Sequence, residues 1–159
     1  MKILGIDPGS QITGYGVVER SGRGLKAIFY GDIKLSRQLA LSNRLARIYD
    51  ALMDVVGQIN PDAIAIEDVF YGKNIKSLVK QGEARGVALL AGAKASIPIF
   101  EYTPLDVKKT VVGYGRAEKS QVQKMVKAIL NLPELPTEDA SDALAIAICH
   151  ANYLNKAIG

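Results

Sequence analysis

The chain has 159 residues, of which 48% are apolar, and a net charge of +4. That is enough for one domain (1–159) with a packed core, and too apolar for a disordered chain. A single cysteine, Cys149, excludes an intrachain disulfide, and no His/Cys cluster, GxxxxGK[ST] loop or Gly-x-Ser-x-Gly elbow is present, which argues against zinc, P-loop and serine-hydrolase chemistry.

Met1–Ser10 (MKILGIDPGS) begins with an apolar run suited to a central strand, and Pro8-Gly9 ends it, leaving Asp7 at the strand's carboxyl edge. The run is only a strand long and carries no leader pattern. Ile12–Arg20 reads as a second strand, with Gly14 and Gly16 where side chains would crowd. Leu25–Ile33 reads as a third, and short turns make the three a meander. Ala40–Ile59 has helical apolar spacing and stops at Asn60-Pro61. Asp62–Val69 is a fourth strand with an acid, Glu67, near its end, and Phe70-Tyr71-Gly72 follows as a loop.

Asn74–Ser96 reads as a long helix with a stripe of Ile75, Leu78, Val79, Gly82, Gly86, Leu89, Leu90 and Ala93. That stripe either meets a second copy or is buried between the sheet and another helix of the same chain. Ile97–Tyr102 is a fifth strand. Leu105–Val112 and Glu118–Leu130 are two short helices around a turn at 113–116, and Glu138–Asn155 is a closing helix, apolar all round at Ala143–Cys149. Cys149 there is expected to be core. The pattern predicts an α/β fold, a five-stranded mixed sheet flanked by helices. No apolar run is long enough for a bilayer, so no membrane is expected and a cytoplasmic home is.

Charge is unevenly placed. Residues 73–127 carry eleven bases and four acids, whereas 128–159 carry one base and four acids. A basic third, including Lys76 and Lys80, beside an acidic end suits a polyanion held near carboxylates. Asp139 and Asp142 stand three apart at the start of a buried helix and so point the same way. Unpaired buried carboxylates are costly, and a divalent cation removes the cost. Asp7 and Glu67 can converge on the same place. Four acids without imidazole suit Mg²⁺, with Mn²⁺ as a substitute, and two ions about 4 Å apart would serve phosphodiester hydrolysis.

Motifs along nearly the whole chain resemble the RuvC family of bacterial Holliday-junction resolvases. They are Gly5-Ile6-Asp7-Pro8-Gly9-Ser10 with Thr13-Gly14-Tyr15-Gly16; Ala65-Ile66-Glu67 with Val69-Phe70; and Gln81-Gly82-x-Ala84-Arg85-Gly86. Val107-Lys108-x-Thr110-Val111-Val112-Gly113, Ala117-Glu118-Lys119-Ser120-Gln121-Val122 and Asp139-Ala140-x-Asp142-Ala143-Leu144-Ala145 complete the set. The resemblance implies an RNase H-like fold and a homodimer that nicks four-way junction DNA, with the RuvA–RuvB branch-migration complex as a partner. It places the family's catalytic, metal-holding acids on Asp7, Glu67, Asp139 and Asp142. It places DNA-contacting bases on Lys108 and Lys119 and the junction-contacting aromatic on Phe70, and it leaves Tyr71 without a role. A nuclease for RNA–DNA hybrids, an actin/Hsp70-like ATPase fragment and a non-catalytic junction-binding module are the competing readings. The second needs another half to enclose a nucleotide, and the third has no use for four acids.

Overall fold

The computed structural model describes residues 1–69, 72 and 74–158, with the side chains described through 154. Three strands form the meander: β1 (Lys2–Asp7), β2 (Ile12–Ser21) and β3 (Gly24–Lys34). Helix α1 (Leu41–Ile59), strand β4 (Ala63–Glu67), helix α2 (Ile75–Lys94) and strand β5 (Ile99–Tyr102) follow. Helices α3 (Pro104–Val111), α4 (Lys119–Leu130) and α5 (Glu138–Ile158) close the order. The sheet runs β3-β2-β1-β4-β5. β1 pairs antiparallel with β2, which pairs antiparallel with β3; β1–β4 and β4–β5 are parallel. This is the mixed sheet that the pattern predicts, with element ends within a few residues of expectation.

Alternation along the central strands splits the core between the two sheet faces. Leu4, Ile6, Val17, Ile64 and Ile66 pack under α1 and α2. Ile3, Val18 and Ala65 pack under α3, α4 and α5, with the fully buried run Ala143–Cys149. Cys149 is buried in the core, as expected. Among the described residues no helix is long and apolar enough to cross a membrane.

Helix α5 lies unusually close to β1 and β2, and two glycines make that possible. A Cβ at Gly5 would overlap the Ala143 carbonyl oxygen, and one at Gly14 would overlap that of Asp139. Thr137 fixes where α5 begins: its Oγ1 accepts from the Ala140 amide at 3.2 Å and its hydroxyl donates to Asp32 on β3 at 2.8 Å.

Helix α2 departs from the sequence reading. Its in-chain face is Ala84, Ala88, Ala91 and Gly92, whose small size brings the backbone down onto the sheet; a Cβ at Gly92 would stand 2.7 Å from Ile99 Cδ1. The stripe read from the sequence lies elsewhere on the helix. Ile75, Val79 and Leu90 are 75%, 53% and 50% exposed, and a Cβ at Gly82 or Gly86 would meet nothing within 4 Å. Leu89, at the stripe's edge, packs against the in-chain core, but burial of the whole stripe against another helix of the same chain is corrected.

Candidate active site

β1 and β4 are neighbouring parallel strands in register Ile6↔Ile66, so Asp7 and Glu67 emerge side by side one residue later. Both fall on the face covered by α5, the parity of Ala65. The close approach at Gly14 and Gly5 brings the first turns of α5 over that strand end, and Asp142 joins the two acids. Asp7, Glu67 and Asp142 line one cavity of about 290 Å³ together with Gln81, Lys108, Lys119 and the apolar Pro104, Val107 and Val122.

Each base arrives on a helix that is itself fixed. Lys108 lies on α3, which starts with a reciprocal cap: the Thr103 hydroxyl donates to Asp106 at 2.6 Å and its Oγ1 accepts from the Asp106 amide. Lys119 is the first residue of α4 and forms an ion pair with Glu138 at 2.5 Å. Just past Glu67, Asp68 donates its amide to the Tyr102 carbonyl at 2.8 Å, and Arg85 of α2 bridges Asp68 and Glu101 at 3.4 and 2.7 Å. Arg85 thus ties the strand end to α2.

The electrostatics are those of crowded acids. Burial, then Glu67, Asp142 and Asp139, hold the Asp7 carboxyl well above its usual range. Burial and Asp142 push Glu67 to about 7, against a hydrogen bond with Asp7 and the charges of Lys119 and Lys108. Burial raises Asp142 to about 6, with Lys119 opposing and Glu138 and Asp139 adding to it. Asp139 is raised by burial and by Asp32 and Glu138. Glu138 raises Lys119, chiefly through their hydrogen bond.

Of the expected site residues, Asp7, Glu67, Asp142, Lys108 and Lys119 come together at one cavity. Asp139 does not line it. It sits partly exposed toward Asp32, but close enough to act on Asp7 and Asp142. The packed setting expected for both α5 acids therefore holds for Asp142 more than for Asp139. Lys80 lines a neighbouring cavity, and Lys76 is exposed and lines neither. Phe70 and Tyr71 lie outside the described residues. Among the described residues no three acids are gathered tightly enough to hold one ion. The donor set still fits a hard cation, because oxygen ligands that repel one another are what such an ion neutralises.

Sequence reasoning missed Gln81, Arg85 and Arg44. Arg44 did leave a signal: it stands four residues before Ile48 and eight before Leu52, a cation on the helix's buried face.

Comparison with known proteins agrees with this geometry. Residues 3–150 match the family model for crossover junction endodeoxyribonuclease RuvC. A protein of that description from Ruminiclostridium cellulolyticum is 55% identical over 153 residues, covering 96% of this chain and 92% of its own. Another from Desulforamulus reducens is 53% identical over 154 residues, covering 96% and 94%. Among solved structures, T. thermophilus RuvC in complex with a Holliday junction substrate superposes with a TM-score of 0.92 at 35% identity, covering 99% of this chain and 96% of that one. The family-model match, these relatives and the superposition agree, and the chain belongs to the RuvC family of crossover junction endodeoxyribonucleases, with its RNase H-like fold.

Proposed function

We propose that residues 1–159 act as one endonuclease unit that resolves four-way DNA junctions by paired, symmetric nicks in recombination and repair. The observation that carries this reading is the meeting of Asp7, Glu67 and Asp142 in one cavity walled by Lys108 and Lys119. Acids alone would repel DNA, and bases alone would only bind it.

Asp7, Glu67, Asp139 and Asp142 would hold divalent cations, Mg²⁺ by preference and two per subunit. Bound there, the ions supply the charge that activates water and stabilises the leaving oxygen of a phosphodiester. The chain's own residues do the rest. Asp7 and Glu67 stand close enough to act on each other, and burial with the crowding of acids raises both carboxyls and favours a cation between them. Lys108 and Lys119, which wall the same cavity, would contact the phosphates of the cut strand. The T. thermophilus relative was solved with a Holliday junction, which makes a four-way junction the substrate we assign.

Two cuts need two clusters, and one chain brings one. We propose a two-fold dimer through the exposed stripe of α2. The stripe's spacing, its open glycines and its exposed Ile75, Val79 and Leu90 support that choice. Likeness to the family also supports coupling to the RuvA–RuvB branch-migration complex.

The test is cleavage of a synthetic four-way junction with Mg²⁺, against an RNA–DNA hybrid and against ATP turnover. Cutting of the junction alone is expected, and it should stop in EDTA. Preferential cutting of the hybrid would overturn the assignment.

A further inference from the structure

Beside the carboxylate cavity lies a second, of about 390 Å³, and Gln81 lines both. Its other walls are the Pro8–Ile12 loop, directly after Asp7, and Ser77 and Lys80 of α2. The two linings differ in charge. The second holds an ammonium, two hydroxyls and two amide side chains, Gln11 and Gln81, and no carboxylate. An ammonium with neutral donors and no carboxylate suits an anion better than a metal ion.

The loop is fixed from below. The Gly9 amide donates to Thr13 Oγ1 at 3.2 Å, and the Thr13 hydroxyl donates back to the Gly9 carbonyl at 2.8 Å. Arg44 Nη1 donates to the Ser10 carbonyl at 3.2 Å. Arg44 is only 8% exposed, its Nε has no hydrogen-bond partner, and no carboxylate pairs with it among the described residues. A guanidinium cannot lose its charge, so this side chain is a buried, unneutralised cation beneath the loop. Its bond to the Ser10 carbonyl fixes the loop but leaves the charge unneutralised, and an anion bound nearby would offset it.

We propose that this second cavity is a subsite for a backbone phosphate next to the scissile one, with Lys80, Ser77 and Ser10 as its donors and Arg44 as the positioning residue. Arg44 holds Ser10 in place and supplies positive potential from behind the loop. The shared Gln81 wall and the adjacency of Asp7 to Pro8 carry the strand from one cavity to the other. The proposal rests on the junction-nuclease reading and specifies which part of the substrate touches which part of the chain.

The experiment uses four-way junctions with a single uncharged methylphosphonate placed in turn at each phosphate flanking the cut. Single-turnover cleavage is measured for the parent, Lys80→Ala, Arg44→Lys and Arg44→Gln, each first checked by thermal melting. In the parent, one flanking position should lose about tenfold or more in rate, the size of a lost charge-assisted hydrogen bond. In Lys80→Ala that one penalty should shrink towards none while the other positions keep theirs. Arg44→Lys keeps the charge and should retain most of the penalty, whereas Arg44→Gln should reduce it at the same position. If Arg44→Gln does not fold, Lys80→Ala decides alone. Identical penalties in parent and Lys80→Ala at every position would overturn the subsite and leave the nuclease reading standing. A parent that fails to cut the unmodified junction would overturn that reading and the subsite with it.

Discussion

The four acids make their strongest predictions one side chain at a time. Asn at Asp7, Glu67, Asp139 or Asp142 should reduce junction cleavage by at least about a hundredfold, since even partners that only support metal ligands cost up to that. Junction binding, measured by gel shift, should remain. The same residues set a pH dependence. Glu67 moves from 4.5 to about 7 and Asp142 from 3.8 to about 6 on folding. A raised acid means the folded state binds more protons than the unfolded one in that window, so stability falls as pH rises through it. The metal-free parent should therefore melt higher near pH 4.5 than near pH 7.5, with carboxyl protonation elsewhere in the chain acting against it. In EDTA at pH 7.5, Glu67→Gln should melt no lower than the parent. A clear loss of melting temperature would make Glu67 a structural residue.

The bases separate by position. Lys108→Ala and Lys119→Ala should weaken cleavage more than binding, because both line the acid cavity. Lys76→Ala should mainly flatten the salt dependence of binding, by about one unit of slope per lost phosphate contact. An unchanged slope would remove Lys76 from the DNA surface. The acids were legible as acids out of place: Asp7 and Glu67 end apolar strands, and Asp142 opens an apolar helix. Arg44 was legible only as a cation on a buried helix face; its role, like that of Gln81, depends on which loop a helix face meets, and that is a tertiary fact.

At the scale of the element, α2 has two faces with opposite expectations. Ala88 is fully buried against the sheet, so Ala88→Leu overpacks it and should cost about 1–3 kcal/mol in a denaturant melt. Gly86 meets nothing within 4 Å, so Gly86→Leu should leave the subunit fold intact and gain up to about 1 kcal/mol in helix propensity. The same change should separate the subunits by sedimentation. A Gly86→Leu protein that stays dimeric places the interface elsewhere. Apolar spacing singles out the stripe of Ile75, Val79 and Leu90 and gives no sign that the small-residue face is the one the chain buries. Ala84, Ala88, Ala91 and Gly92 look weaker on any hydrophobic scale than Ile75, Val79 and Leu90. They win the in-chain position because a thin face lets the backbone reach Ile64 and Ile99.

For the whole molecule, the test is the pairing of cuts. A cruciform plasmid becomes linear when both nicks fall within one binding event and stays circular when they do not. The parent should give mostly linear product and Gly86→Leu mostly nicked circles. A parent that only nicks would contradict a two-fold resolvase. Strand count, helix order and the mixed sheet were legible because each element has its own period and its own stop. The seating of α5 on Gly5 and Gly14 was visible only as glycines in strands, without the partner that needs them.

That seating also sets the order in which the acid cluster is assembled. Asp7 and Glu67 are made early, but α5, with Asp142, comes last among the described elements, and it docks on strands formed more than a hundred residues before it. Such long-range closure is slow and completes only once those distant segments are available together. A chain folded only as far as α4 therefore holds Asp7 and Glu67 beside Lys108 and Lys119 but lacks the acids of α5. The acid cluster is complete only when α5 docks.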